Sequence, residues 1–213
     1  MKIEVWSDFQ CPYCMLGEHR LSRALEQLGI RDADIKTRSF LLNPVPNKPN
    51  GLPMAELVKL DYGGEIPQIL VGFQNLSRIA LKEGLVIDQE NAVYGYMMDA
   101  HRLLQFANTR GLGNRFMELG HQAVFQQHLL LSDLEVLLGL AEQAGLDRGE
   151  AREVLAGNRF RKEVLADVAQ AEQIPIDYVP YYIINGTRHF SGDLSMEDYL
   201  RELRAAQENQ AVI

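Results

Sequence analysis

A short apolar-leaning stretch, Lys2–Trp6, runs into Ser7-Asp8-Phe9-Gln10-Cys11-Pro12-Tyr13-Cys14, and a long helical pattern follows. Val5 and Trp6 favour a strand, and Pro12 suits the first position of a helix, where its missing N–H is not needed. Cys11 and Cys14 are the only two cysteines in 213 residues. Three positions apart at a helix start, they cannot tie together distant parts of the chain as a structural staple would. The stretch therefore demands a fold that presents one strand–turn–helix corner, and it marks that corner as chemically reactive.

The rest of the chain fits around this corner. Leu16, Leu21, Ala24, Leu25 and Leu28 recur at helical spacing up to Gly29, a natural helix stop. Asp34–Leu42 reads as a second strand. Asn43–Pro53, with four prolines and a glycine, reads as a loop or boundary. From about 54 to 173 helical periodicity dominates. One helix is expected to start at Asn91 and run through Val93, Tyr96, Met97, Ala100, Leu103, Leu104 and Ala107 to Gly111. Ser132 and Glu135 have the spacing of a capping box, and Asp147 with Glu150 repeats the signal more weakly. Short glycine loops join these helices, as in a bundle. Strand chemistry returns at the end: Tyr181–Ile184, the Asn185-Gly186 turn and Thr187–Ser191 spell a hairpin, and Ser195–Asp198 opens a last amphipathic helix. The order β-α-β, a helical block, then β-β-α predicts one α/β sheet domain made of residues 1–53 and 174–213, interrupted by a helical insertion at 54–173.

Composition excludes several classes of function. A formal charge of −8 with no Lys/Arg cluster argues against nucleic acid as a partner. No stretch approaches the ~18 apolar residues of a membrane span, and the basic and apolar regions of a secretion signal are missing from the N-terminus. The expected location is cytoplasmic, where a lone CxxC is more often catalytic or metal-binding than structural. A zinc site would need further ligands from His19, His101, His121, His128 and His189, and no pair of these has the short spacing of a zinc finger. No metal is expected. Two inert core thiols sit poorly with the strand–CxxC–helix context.

Residues three apart on a helix share a face, about 5–6 Å between Cβ atoms, so modest adjustment lets the pair cycle between dithiol and disulfide. Cys11 is expected at the helix start, where free N–H groups and the helix dipole stabilise a thiolate. Cys14, one turn in, is expected to be more buried and to have the higher pKa. Cys11 is then the exposed nucleophile that forms a mixed disulfide and Cys14 the group that resolves it. Tyr13 stands at the site by position. Asp8 caps the helix or faces the rim. Val179-Pro180 before the Tyr181 strand is either a plain strand start or a cis proline whose loop packs on the dithiol. His101, in Asp99-Ala-His-Arg-Leu-Leu104, is either a hydrogen-bonded interior histidine or lines the groove above Cys11. Met97, Met98, Phe106 and Phe116 read as core.

In this order the motifs resemble the DsbA-like thiol-disulfide oxidoreductases, and within them a cytoplasmic FrnE-like branch. The matching stretches are SDFQCPYCMLGEHRL (7–21), FLLNPVPNKPNG (40–51), DAHRLLQFA (99–107), LSDLEVLLGLAEQAGL (131–146) and VPYYIINGTRHFSG (179–192). The resemblance implies a thioredoxin fold with a large all-helical insertion. It also implies a cis Pro180 facing Cys11 and Cys14, a Val179 backbone that pairs with an extended substrate chain, and Pro12-Tyr13 as the dipeptide that tunes thiolate stability. It further implies an enzyme, a protein-disulfide oxidoreductase or isomerase with no added cofactor, acting on disulfide- or thiol-containing proteins, with glutathione as a possible redox partner and the chain a monomer or homodimer. Ile176-Asp177-Tyr178-Val179 is bulkier and more polar than the Gly-x-Gly-Val often found before that proline, and Val5 stands where many members of the wider fold carry a buried acid. Two other functions share features of the sequence. A glutathione-dependent isomerase or transferase of the 2-hydroxychromene-2-carboxylate isomerase or kappa type has the fold but a serine in place of the first cysteine. A redox-sensing or chaperone-like binding module would use the dithiol without turnover.

Overall fold

A computed structural model describes residues 1–192 and 194–210; Asp193 and the last three positions of the 174–213 segment lie outside it. Four strands form one mixed sheet in the order β2-β1-β3-β4, with β1 Lys2–Ser7, β2 Asp34–Ser39, β3 Tyr181–Ile184 and β4 Arg188–Ser191. β1 runs parallel to β2, with Lys2 opposite Asp34 and Ser7 opposite Ser39. It runs antiparallel to β3, with Ile3 opposite Ile184 and Trp6 opposite Tyr181. A strand from the start of the chain is thus flanked by one from each end. The hairpin joining β3 and β4 pairs Ile184 with Arg188 and turns through the three residues between them; Asn185 and Gly186, with φ of 51° and 73°, supply the left-handed conformations for which Asn-Gly is suited.

Helix α1, Pro12–Gln27, connects β1 to β2 and straddles two cores. Its Leu21, Ala24 and Leu25 pack with Ile3, Val5, Tyr182 and Ile184 of the sheet and with Tyr199 and Leu203 of the last described helix, Met196–Gln210. Its Met15 and Leu16 join the larger core of the helical block. That block contains α2 Met54–Tyr62, α3 Ile66–Lys82, α4 Met98–Asn108, α5 Gly113–Phe125, α6 Leu134–Ala144, α7 Arg148–Ala156 and α8 Arg161–Gln173; the C-terminal helix is α9. On the other sheet face Trp6 and Ile183 pack with Ala171 of α8.

Buried Asp167 of α8 locks the block to the sheet. Its carboxylate accepts from Arg38 at 2.9 Å, from the Ser39 backbone N–H at 2.9 Å and from the Gln105 amide at 2.6 Å, while its carbonyl accepts from the Trp6 indole at 3.1 Å. A carboxylate hidden from water stays only with such a full set of donors.

Two local expectations fail for tertiary reasons. The helix expected from Asn91 begins at Met98. Residues 92–94 are extended because the 52–54 segment claims their backbone: Val93 bridges Pro53, Tyr94 N–H donates to Leu52 O at 2.7 Å and Met54 N–H to Ala92 O at 3.0 Å. The cap of α6 is Asp133, not Ser132: its carboxylate accepts from Glu135 and Val136 N–H at 2.9 and 3.1 Å. A carboxylate outcompetes the neighbouring hydroxyl for free N–H groups, and the Ser132 hydroxyl is left buried beside Gly95. Asp147 caps α7 as its spacing suggests, accepting from Glu150 N–H at 2.8 Å.

Candidate active site

Cys11 is the residue immediately before α1, in extended conformation, and Pro12 takes the first helical position. No side chain among the described residues caps this helix start, so the positive end of the helix dipole opens toward Cys11. The carbonyl of Cys11 accepts from Cys14 N–H at 3.0 Å, which places the second cysteine one turn in. Both are free thiols. Cys14 is fully buried, and that burial, followed by the neighbouring Cys11, pushes its thiol well above the ordinary range. The order of burial follows the sequence, but Cys11 is not the exposed group that its position suggests: only 5% of its surface is accessible. It turns under the loop before β3 and donates to the Val179 carbonyl at 3.4 Å.

The Val179–Pro180 peptide is cis. Pro180 is buried against α1 and Gly192, and the helix lets it in at Gly17. A Cβ there would stand 2.6 Å from Pro180 Cγ and within 3 Å of the Tyr182 and Tyr199 hydroxyls. Val179 is half-buried, Tyr178 beside it is 76% exposed and Tyr13 44% exposed. Cys11, Pro12, Tyr13, Cys14, Val179 and Pro180 thus come together in one place, with two aromatic side chains at its open rim.

His101 does not join them at the surface. It lies fully buried in α4, its ring 4.9 Å from that of Phe9 and its Nε2 3.8 Å from the Asp8 carboxylate, and neither ring nitrogen has a hydrogen-bond partner among the described residues. The interior position agrees with the first expectation, but the hydrogen bonds expected with it are missing among the described residues, and a fully buried ring does not form an open groove wall. Asp8 does not cap α1 either. Its carboxylate accepts from Gln10 N–H at 2.7 Å and Leu42 N–H at 2.9 Å, which fixes the Ser7–Cys11 loop to the chain after β2. Met97, Met98, Phe106 and Phe116 are core.

The sequence reading missed a second layer behind the dithiol. His121 of α5 donates from Nε2 to the Asp8 carbonyl at 3.1 Å, the same oxygen that accepts from Cys11 N–H at 3.1 Å. Its Nδ1 faces the Glu18 carboxylate at 2.9 Å. Burial alone would lower the His121 pKa, but Glu18 and the Asp8 carbonyl outweigh it and the net shift is upward. Glu18 carried a local signal, since it lies four residues after Cys14 and so on the same helix face. His121 carried none. Among the described residues no group of three or more His, Cys, Asp or Glu could hold a metal ion, and no helix is long and apolar enough to cross a membrane.

Comparison with known proteins agrees with this architecture. A probable DsbA oxidoreductase from Streptomyces coelicolor superposes with a TM-score of 0.91 and 31% identity, over 98% of this chain and 90% of that one. The uncharacterized protein YwbO of Bacillus subtilis is 25% identical over 87% of each chain. The cytosolic disulfide reductase DsbM of Pseudomonas aeruginosa, solved with GSH, shares the fold at a TM-score of 0.66 and 15% identity, over the full length of both chains. The family model for the DSBA-like thioredoxin domain matches residues 2–204, and the chain belongs to that family.

Proposed function

We propose that the protein is a thiol-disulfide oxidoreductase or isomerase working through Cys11 and Cys14. The observation that carries this reading is the single cluster formed by the helix-start Cys11, the buried Cys14 and the cis Pro180 loop. Cys11 attacks a substrate disulfide and forms a mixed disulfide; Cys14 attacks Cys11 and releases the substrate thiol. The Val179 carbonyl, which accepts from the Cys11 thiol in the resting state, is the backbone group that an extended substrate chain would meet as it displaces that contact. Pro12 and Tyr13 set the environment of the pair. No added cofactor is needed, since the electrons pass between sulfurs. Residues 1–53 and 174–213 act as the thioredoxin-like unit and 54–173 as the cover that shapes access.

Disulfide-bearing proteins are the proposed substrates, with glutathione as the redox partner and the cytoplasm as the location. The name of the DsbM neighbour, a cytosolic reductase solved with GSH, favours the last two. The test is insulin reduction and refolding of scrambled ribonuclease. Both activities should vanish in Cys11→Ser, while Cys14→Ser should accumulate covalent mixed disulfides. Glutathione-dependent turnover that survives intact in Cys14→Ser would replace this reading with that of a one-thiol isomerase or transferase.

A further inference from the structure

The ladder between β3 and β4 does not stop at Tyr181 and Ser191, the pair at its open end. Gly192 N–H donates to the Pro180 carbonyl at 2.6 Å, one rung further on and next to Val179. In an antiparallel ladder such a rung carries two hydrogen bonds, each residue donating to the other. Proline has no N–H to return, so the rung is one-sided and the Gly192 carbonyl loses its strand partner. Gly192 is buried, and a buried carbonyl without a donor is costly.

The C-terminal helix supplies the donor. The Tyr199 hydroxyl of α9 donates to the Gly192 carbonyl at 3.3 Å and is hydrogen-bonded to the Tyr182 hydroxyl of β3 at 3.0 Å. A hydroxyl both donates and accepts, so Tyr199 serves the two at once. Both phenols are buried, and burial, the largest influence on each, raises them. They therefore keep their hydrogens across the working range.

The hydroxyl is held where it is needed. At the start of α9 the Asp198 carboxylate accepts from Ser195 N–H at 3.1 Å, and the Ser195 hydroxyl accepts from Asp198 N–H at 3.2 Å. This reciprocal cap fixes the first turn, and Tyr199 is the next residue. Its ring stands edge-on to Tyr182 and Phe190, with centroids 5.6 and 5.8 Å away. Pro180 is gripped from both sides in the same place. A Cβ at Gly192 would lie 2.1 Å from Pro180 Cγ, and one at Gly17 would lie 2.6 Å from that atom and 2.9 Å from the Tyr199 hydroxyl. With no slack around the ring, a shift of Gly192 passes to Pro180 and on to Val179.

We propose that Tyr199 is a positioning residue: its hydroxyl replaces the N–H that Pro180 lacks and so fixes the Val179 backbone where an extended polypeptide substrate pairs. The inference rests on the reading of Cys11, Cys14 and Val179 given under the proposed function. The exchange of sulfurs at Cys11 does not pass through Tyr199. A protein disulfide, which uses the Val179 edge, should feel the loss of this hydroxyl. A small disulfide, which needs only Cys11, should not.

Tyr199→Phe removes the donor and adds no bulk. In this variant kcat/KM for dithiothreitol-driven insulin reduction should fall about two- to tenfold, the scale of one hydrogen bond. The reduced variant should react with 5,5′-dithiobis(2-nitrobenzoic acid) as fast as the parent, read as the first release of thionitrobenzoate. A loss of folded protein alone would lower both rates together. Tyr182→Phe leaves the bond to Gly192 in place and should lower insulin turnover less. The double variant Tyr182→Phe/Tyr199→Phe removes both hydroxyls, so neither is orphaned in the core. It should match Tyr199→Phe, and it serves if that variant fails to fold. Insulin turnover equal to the parent's in folded Tyr199→Phe or in the double variant, or an equal slowing with both disulfides, would overturn the anchor. An unaltered protein that does not reduce insulin would instead overturn the dithiol reading on which the anchor rests.

Discussion

The Cys11 thiol donates to the Val179 carbonyl across 3.4 Å, although 168 positions separate the two in sequence. One end of the chain brings the reactive sulfur, and the other end brings the backbone that covers it. Cys11 is 5% accessible and Cys14 not at all, and the Cys14 thiol is pushed well above its ordinary range, by burial first and by Cys11 next.

Alkylation should read this difference directly. Brief iodoacetamide treatment of the reduced protein at pH 7 to 8 should place a single label on Cys11, as located by peptide mass spectrometry. Cys14 should react only after denaturant is added. Equal labelling of both thiols in the native protein would contradict the burial of Cys14.

The approach of Pro180 to α1 depends on a missing side chain. An alanine at position 17 would put its Cβ 2.6 Å from Pro180 Cγ and 2.7 Å from the Tyr182 hydroxyl. Helix propensity favours alanine over glycine by about 1 kcal/mol, while overpacking a tight interior costs about 1–3 kcal/mol. Gly17→Ala should therefore lower urea stability by up to about 2 kcal/mol, and by displacing the loop it should also slow the reaction of Cys11 in the reduced protein with 5,5′-dithiobis(2-nitrobenzoic acid), read as the first release of thionitrobenzoate. A variant as stable as the original and equally fast would mean that the loop has room to shift.

These contacts mark where sequence reasoning stops. The dithiol, the proline at the helix start and the Asn185-Gly186 turn were legible because their physics is local: spacing along one helix, a fixed φ, two left-handed residues in a row. The helix expected from Asn91 had the right apolar period, but backbone pairing between 92–94 and 52–54 overrode it. Glu18 and His121 meet across 103 positions, and nothing near His121 announces a partner on another helix. The small accessibility of Cys11 was equally hidden, since the Val179 loop covers it from the far end of the chain.

Gly120 performs for the helical block what Gly17 performs for the Pro180 loop. A Cβ at position 120 would lie 2.4 Å from Phe9 Cδ1, and Phe9 packs its ring against Phe116, His101 and His121. Gly120→Ala should destabilise the protein by about 1–3 kcal/mol and disturb the loop that carries Cys11. Pairing it with Phe9→Leu should recover part of the loss. A double-mutant cycle in urea should show a coupling of about 0.5–3 kcal/mol, as for residues in contact; strict additivity would mean that the two do not press on each other.

Arg20 joins α1 to the residue that ends α3. Its guanidinium donates to both oxygens of Glu83, at 3.1 and 3.0 Å from Nε, and from Nη1 to the Leu194 carbonyl at 2.7 Å. The hydrogen bonds from Arg20 hold the Glu83 carboxyl below its ordinary range, against a smaller opposing effect of burial. A carboxyl depressed in the folded state contributes stability above its unfolded pKa, about 4.3 for glutamate, and loses that contribution as pH falls through the lower folded value. Glu83→Gln should therefore be less stable than the parent at pH 7, by an amount that stays constant down to about pH 5. The gap should narrow as the solution is acidified below about pH 4, where the parent carboxyl also becomes protonated. Urea titrations of both proteins at pH 7, 5, 4 and 3 would measure it. A gap that keeps its full size at pH 3 would assign the loss to altered packing at the α1–α3 junction and not to the charge on Glu83.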